Sequence, residues 1–325
     1  MNQQEAKKLE KHILETLTKH LKKGQRVIAG ISGGPDSIFL LHFLQKADCK
    51  IVVAHINHQL RKNEANKDEK FVENLAKSLS LPYFCKKVDI KALSTAKKTG
   101  IEETGRKERY KHFNQLKKQQ KADLIATAHH ADDNLETIIM NFARGASLKG
   151  LSGMETLEND LFRPLREITK QEITQYLDIN KIEYRIDKSN ESTVYRRNAI
   201  RKNIIPELKK LNPNIAKTIS KNAKILDEID EYLIENAQKW VVTKSLTKAK
   251  KTFPAIQFRQ LHPALQKQII RLLYILHTNS TKNLENTHIE EILKIIKQKI
   301  GNKSKKFGKL TFSINKSTLK VSVAN

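Results

Sequence analysis

Along the chain, short unbroken apolar runs alternate with longer stretches in which apolar residues recur every three or four positions. Leu9, Ile13, Leu14, Leu17 and Leu21 predict an amphipathic helix over 3–22. The apolar run 26–31 then breaks into Ser32-Gly33-Gly34-Pro35-Asp36-Ser37, and a second apolar segment, 38–44, follows at once. A buried strand, a tight glycine turn and a helix start have this form. Residues 50–58 predict a second buried strand with a polar end, and Phe71, Leu75 and Leu79 a helix over 64–80. A strand near 83–88, a helix near 102–118, a strand over 123–128 and a helix over 132–143 follow. Strands alternating with helices predict an α/β fold, a doubly wound and mainly parallel sheet.

Further on, the glycine-rich segment 144–154 reads as a mobile loop. Residues 161–165 read as an edge segment, because Pro164 would spoil a central strand. A helix over 169–180 and the short segment 184–187 come next. The basic run 196–201 then opens a helix that stops before Pro206. Beyond Pro206–Pro213 the alternation ends, and helices over 213–240, 259–278 and 287–300 predict a second, mostly helical domain. Its apolar residues recur at helical spacing (Ile225, Ile229, Leu233; Ile269, Leu272, Leu273, Leu276), and 309–323 reads as a hairpin around Asn315-Lys316-Ser317. The expected division is 1–210 and 211–325.

In open parallel sheets, ligands collect at the carboxyl ends of the strands. That rule puts residues 32–36, 55–58 and 129–133 on one rim. The glycines allow close backbone approach, and Pro35 suits a first helical position. The free N–H groups of such a helix start form an anion site. A Walker A loop would place a lysine after the glycines, and Asp36 stands here instead. Two readings remain open for the bare loop. Asp36 either complements the helix dipole, or holds Mg²⁺ against a pyrophosphate cradled by the loop.

Charge narrows the partners. Among 325 residues, 61 Lys and Arg face 35 Asp and Glu, a formal charge of +26 spread along the chain. A lysine-rich genome explains part of this excess, but would raise Glu as well, so a polyanion such as nucleic acid is the favoured partner. Two isolated cysteines, Cys49 and Cys85, make neither a zinc cage nor a disulfide framework. No apolar leader or membrane-length run is visible, so a cytoplasmic protein without a membrane partner is expected. A homodimer is neither required nor excluded by the sequence.

The second dense cluster is Ala128-His129-His130-Ala131-Asp132-Asp133-Asn134-Leu135-Glu136-Thr137. On a helix, Asp132 or Asp133 shares a face with Glu136, and such carboxylates can hold Mg²⁺ or an amine cation. His129 and His130 can meet phosphate or a base edge. At the end of the second strand, His55, Asn57 and His58 with Arg61 form a polar rim. Arg106 and Arg109, three apart on a helix, either supply positive charge to that rim or belong to a solvated face.

Together, S-G-G-P-D-S, H-I-N-H-Q-L-R, E-E-T-G-R-K-E-R-Y, T-A-H-H-A-D-D-N-L-E-T, R-P-L and R-R-N-A-I-R resemble the tRNA(Ile)-lysidine synthetase family of N-type ATP pyrophosphatases. The likeness is dense over 27–206 and thinner beyond. Asn134, Thr104-Gly105 and Ala146-Ser147 depart from the family pattern, and the chain looks like the family's shorter form. The resemblance implies an adenine nucleotide alpha-hydrolase-like fold and a two-step ligation at the wobble cytidine of a CAU-anticodon tRNA(Ile). The C2 oxygen attacks the α-phosphate of ATP, and free L-lysine then displaces AMP. It implies ATP contacts at Ile31, Ser32, Gly33, Gly34, Pro35, Asp36, Ser37, His55, Asn57 and His58, with Mg²⁺ on Asp36. It implies metal or lysine contacts at Asp132, Asp133 and Glu136, and α-phosphate stabilisation by Arg106 with Arg197 or Arg201. The attacking amine must be neutral, and His130 or Glu136 is a candidate for its proton. Among rivals, a tRNA thiolase would want paired cysteines, and an amide-forming synthetase of small molecules would want no +26 surface. A non-catalytic RNA-binding protein would not need Asp36, Asp133 and Glu136.

Overall fold

A computed structural model of the chain describes residues 1–60, 62–185, 196–247, 252–279, 284–297, 302–307, 310–315 and 317–323. Arg61, Ile186, Asp187, the helix end 298–300, Lys309, Lys316 and the side chain of Arg196 lie outside the described residues. The chain divides into two compact units, Met1–Gly145 with Ser152–Ala223, and Ala146–Leu151 with Lys224–Asn325.

The first unit begins with α1 (Gln3–His20), capped by Asn2, whose side chain accepts from the Glu5 amide while Glu5 reaches back. Strand β1 (Arg26–Gly30) leads through the glycine turn into α2 (Pro35–Lys46). There follow β2 (Lys50–Asn57), α3 (Lys62–Ser78), β3 (Tyr83–Lys87), α4 (Ile90–Lys97), α5 (Ile101–Gln119), β4 (Leu124–Ala126) and α6 (Ala131–Phe142). The expected loop 144–154 contains a helical turn, α7 (Leu148–Leu151). Then come β5 (Leu157–Glu158), β6 (Leu161–Phe162) and α8 (Lys170–Ile179).

The sheet order is β3-β2-β1-β4-β6-β5, parallel except for the last pair. This corrects the expected edge at 161–165. β6 is flanked by β4 and β5, and Pro164 escapes the ladder because the strand ends at Phe162. Both faces of the sheet are covered. Val27, Ala29, Ile51 and Val53 pack towards α1, α2, α3 and α8, while Ile28, Val52 and Ala54 pack with Phe113 and Leu116 of α5. The strands therefore read as continuous apolar runs. The order also fixes a switch point: the chain runs from β1 out through β2 to β3, then returns to place β4 on the other side of β1. The crevice between the carboxyl ends of β1 and β4 is where such sheets bind ligands.

After the undescribed stretch, the basic run does not stop at Pro206. α9 (Arg196–Ala199) passes into a π-helical segment, Ile200–Ile204, and then into α10 (Ile205–Leu211), with Pro206 in the first turn of α10. The change of hydrogen-bond pattern puts the proline, which has no N–H to give, where a new helix begins. Ile200 and Ile205 pack with Ala131 and Leu135 of α6, fixing the basic segment beside the sheet.

The long helix α11 (Ile215–Thr243) contains the division between the units. The second unit continues with β7 (Thr252–Pro254), α12 (Ala255–Arg259), α13 (Pro263–Thr278), α14 (Asn286–Lys297), β8 (Lys303–Phe307), β9 (Leu310–Asn315) and β10 (Thr318–Val323). The expected hairpin is the centre of a four-stranded antiparallel sheet, order β7-β10-β9-β8. Its inner face meets α13 and α14 through Ile269, Ile270, Leu273, Ile292 and Phe312. Periodicity misleads in α11, where Ile225 and Ile229 are exposed.

Candidate active site

The glycine turn is organised by Ser37. Its Oγ accepts from the Ser32 and Gly33 amides, each at 3.1 Å, and donates to the Gly34 carbonyl at 2.9 Å. Gly33 has φ +93°, a conformation that favours glycine, and a side chain there would press on Val72. Behind the turn lies a cavity of about 520 Å³ lined from the carboxyl ends of β1, β2 and β4 and from α5. Gly30 at its floor lets α5 come close, since a Cβ there would sit 2.7 Å from the Phe113 ring.

The structure brings many of the expected residues to this cavity. Ile31, Ser32, Asp36, Ser37, His58, Arg106, His129, Asp133, Arg197 and Arg201 all line it, together with Arg109 and Tyr110. His58 Nδ1 and Tyr110 Oη are buried without a hydrogen-bond partner among the described residues, polar atoms that a bound ligand would satisfy. Arg106 lies over the Tyr110 ring at 5.0 Å, and Arg109 approaches His58 Nε2 at 3.5 Å. Burial, with help from the Arg109 charge, pushes His58 down to about 4. Burial likewise drives His129 down to about 3; Asp133 opposes the shift, while Arg106, Arg163 and Arg197 add to it. Both rings are therefore neutral at pH 7.

Other expected contacts are not at the cavity. β2 presents Ala54 and Ile56 to it, so His55 and Asn57 point to the opposite face. His55 Nδ1 lies 2.8 Å from the Ile31 carbonyl, and Asn57 Nδ2 donates to Glu69 at 2.7 Å and to Asn66 at 3.1 Å. The two side chains hold the turn and α3 in place, and neither lines the cavity. Gly33, Gly34 and Pro35 shape the turn without lining the cavity.

The three acids of α6 also diverge. Asp132 accepts from the Lys170 amide and from Lys209 Nζ, each at 2.9 Å, and faces away from the cavity. Asp133 accepts from the His130 amide at 3.1 Å and lies 3.5 Å from both Arg197 and Arg201. Burial would raise its carboxyl, but His130, His129 and Arg197 outweigh that and hold it below the usual range. Glu136, 1 % exposed, is gripped by Arg197 Nε at 2.6 Å and by Arg201 Nε. As placed, Glu136 is neutralised by two guanidiniums and offers no open oxygen to an ammonium. Of the three acids of α6 only Asp133 lines the cavity, which Asp36 and Glu102 also line, and two arginines are fixed from behind by Glu136.

A residue absent from the sequence reading completes the turn. Lys170, the first residue of α8, places Nζ 2.6 Å from both oxygens of Asp36. His130 Nε2 is 3.8 Å from the same carboxylate. The ammonium shows that Asp36 accepts a cation at the mouth of the loop. No group of three or more His, Cys, Asp and Glu among the described residues could hold a metal. Cys49 and Cys85 are free thiols that do not line the cavity, and burial lifts Cys49 to about 11. No helix among the described residues is long and apolar enough to cross a membrane.

A phosphate-sized turn at the switch point of a parallel sheet, with a carboxylate at its mouth and arginines across from it, defines a nucleotide-binding domain of the PP-loop class. A family model described as a PP-loop domain matches residues 2–208. The chain belongs to the tRNA(Ile)-lysidine synthase family. Proteins of that name similar to it include those of Clostridium tetani, 34% identical over 298 residues that cover 89% of this chain and 64% of the relative, and of Petrotoga mobilis, 36% identical over 283 residues that cover 86% and 88%. The chain spans 60% to 64% of the length of the first curated relatives it matches. Among solved structures, the U34-tRNA thiolase NcsA from Methanococcus maripaludis has a TM-score of 0.57 at 18% identity, covering 68% of this chain and 79% of that one, a likeness of fold.

Proposed function

We propose that this protein joins lysine to C2 of the wobble cytidine in a CAU-anticodon tRNA(Ile), using ATP and releasing AMP and pyrophosphate. The observation that carries the reading is the convergence on one cavity of the Ser37-organised turn, Asp36, Asp133 and the pair Arg197 and Arg201. In the first step the cytidine C2 oxygen attacks the α-phosphorus, the bond to the β-phosphate oxygen breaks, and pyrophosphate leaves. In the second, the neutral ε-amine of lysine attacks C2, the C2–O bond breaks, AMP leaves, and the amine gives up a proton. The lysidine formed pairs with A instead of G, which moves reading from AUG to AUA.

The turn and the N-terminus of α2 suit the leaving pyrophosphate, since helix-start N–H groups favour anions; the Ser32 and Gly33 amides, which Ser37 Oγ holds here, would exchange that partner for it. Mg²⁺, a hard cation that commonly binds one or two carboxylates and substrate phosphates, suits Asp36 and would neutralise the pyrophosphate as it leaves. Arg106, Arg197 and Arg201 line the cavity and would offset charge that builds on the α-phosphate. Glu136 acts here by fixing Arg197 and Arg201, and Asp133 is the carboxylate left to meet the lysine ammonium. His130 Nε2 lies 3.5 Å from that carboxylate and is a candidate to take the amine proton. The +26 charge suits a tRNA partner.

The test is incubation of the protein with ATP, labelled lysine and a CAU-anticodon tRNA(Ile) transcript. Label should enter the RNA only when the wobble cytidine is present. Incorporation that ignores that base, or none at all, would overturn the reading.

A further inference from the structure

We propose that Lys170 is a tethered cation that holds the place of the metal on Asp36 before nucleotide binds, and turns to the phosphates when the metal arrives. The inference rests on the ATP and Mg²⁺ reading above and concerns the order in which charges occupy that site. A carboxylate beside a phosphate is repulsive unless a cation intervenes, and the loop itself carries no lysine. Lys170 supplies one from α8, 134 positions along the chain, with Nζ at 2.6 Å from each Asp36 oxygen. The ammonium occupies the two oxygens that a divalent cation would use, so ammonium and metal compete.

The backbone and the side chain of Lys170 are held very differently. Thr169 caps α8 and bonds Glu172, and the Lys170 amide donates to Asp132 at 2.9 Å, so the Cα is pinned. The side chain is 40 % exposed and, among the described residues, its ammonium pairs with Asp36, so a flexible four-carbon stem can swing at the mouth of the turn. A displaced ammonium finds the neighbouring carboxylates taken. Asp132 holds Lys209, Asp133 faces Arg197 and Arg201, and Glu172 holds Lys217. The phosphates at the turn are then its nearest open partner. Until the metal comes, the same ammonium masks Asp36 and lets metal-free nucleotide approach the loop.

Two opposite shifts follow from removing the charge. Lys170→Met keeps much of the stem and bares Asp36. Metal should bind the nucleotide-free protein more tightly, and metal-free ATP should bind more weakly. Each shift should be about fivefold, the scale of one partly exposed ion pair. Mn²⁺ titrated into the full chain and followed by electron paramagnetic resonance gives the first, and calorimetry of ATP with EDTA the second. Lys170→Arg retains a cation and should show neither shift, and Lys170→Gln should repeat the Met result if Met disturbs the fold. Neutral variants that bind Mn²⁺ with wild-type affinity would overturn this inference alone. A wild-type protein that binds neither Mn²⁺ nor ATP would overturn the ATP reading and this inference with it.

Discussion

Glu136 shows how the partners of one buried side chain, more than its type, set what it can do. By sequence it is an acid on a helix facing a ligand rim, yet in the fold it is a hub for Arg197 and Arg201. Removing its charge leaves two guanidiniums facing each other beside Asp133. Loss of one partner from a fully buried pair costs roughly 3–5 kcal/mol. Here Arg201 is 40 % exposed and water screens its share. Glu136→Gln should therefore destabilise the protein by about 2 kcal/mol, read from the urea midpoint at constant m-value. In separate assays, cytidine adenylation should fall more than lysine transfer, because the arginines lose their anchor. Unimpaired adenylation would show that the arginines do not depend on it.

His58 and His129 make a second statement at this scale. Both have folded pKa values below the ordinary 6.5, at about 4 and about 3. The unfolded chain then binds the extra protons first, so the stability these groups contribute is complete above pH 6.5 and is lost as pH falls towards 4. Each ring adds up to ~1.4 kcal/mol per pH unit across that window. Urea unfolding at pH 7 and pH 5 should show the loss, and His58→Gln should remove its share of the slope.

At the scale of elements, the two N-termini of α6 and α8 meet through Asp132, and the helical turn decides what each acid does. Successive residues on a helix point about 100° apart, so Asp133 faces the cavity while Asp132 binds the Lys170 amide and Lys209. The expected outcome is a separation of effects. Asp132→Asn should lower stability by about 1–2 kcal/mol through weakened charge-assisted hydrogen bonds, with KM for lysine unchanged. Asp133→Asn should also cost stability, because it weakens the bond to the His130 amide and removes the charge facing Arg197 and Arg201, but it alone should raise KM for lysine. Variants that behave the other way round would reverse the assignment.

The same scale explains what the sequence could convey. The alternation of apolar runs and helical periods specifies the doubly wound sheet, and the turn after β1 and the cluster after β4 are visible because glycine, proline and acids interrupt apolar stretches. The face of β2 is not visible. Both its sides are buried, so hydropathy does not alternate, and nothing local separates His55 and Asn57 from Ile56 and His58. Lys170 is hidden for another reason: its partner is 134 positions away, and one lysine among many carries no local mark. β8 reads K-S-K-K-F, polar on a sheet edge that lysines protect from pairing, so only its apolar neighbour β9 looks like a strand.

For the whole molecule the decisive quantity is charge. A +26 chain could owe its lysines to composition alone, in which case they would be scattered without a common partner. If they serve a tRNA surface, binding must release counterions, and the affinity must fall steeply as salt rises. A protein that makes about 6–10 phosphate contacts loses roughly 10³–10⁵ in affinity between 50 and 200 mM salt. We expect tRNA(Ile) binding by this chain to fall within that range, measured by filter binding without ATP. Binding of ATP at the turn should change far less over the same interval, because its contacts are few and partly enclosed. A tRNA affinity that barely responds to salt would assign the excess lysines to composition and leave recognition to contacts with the RNA bases.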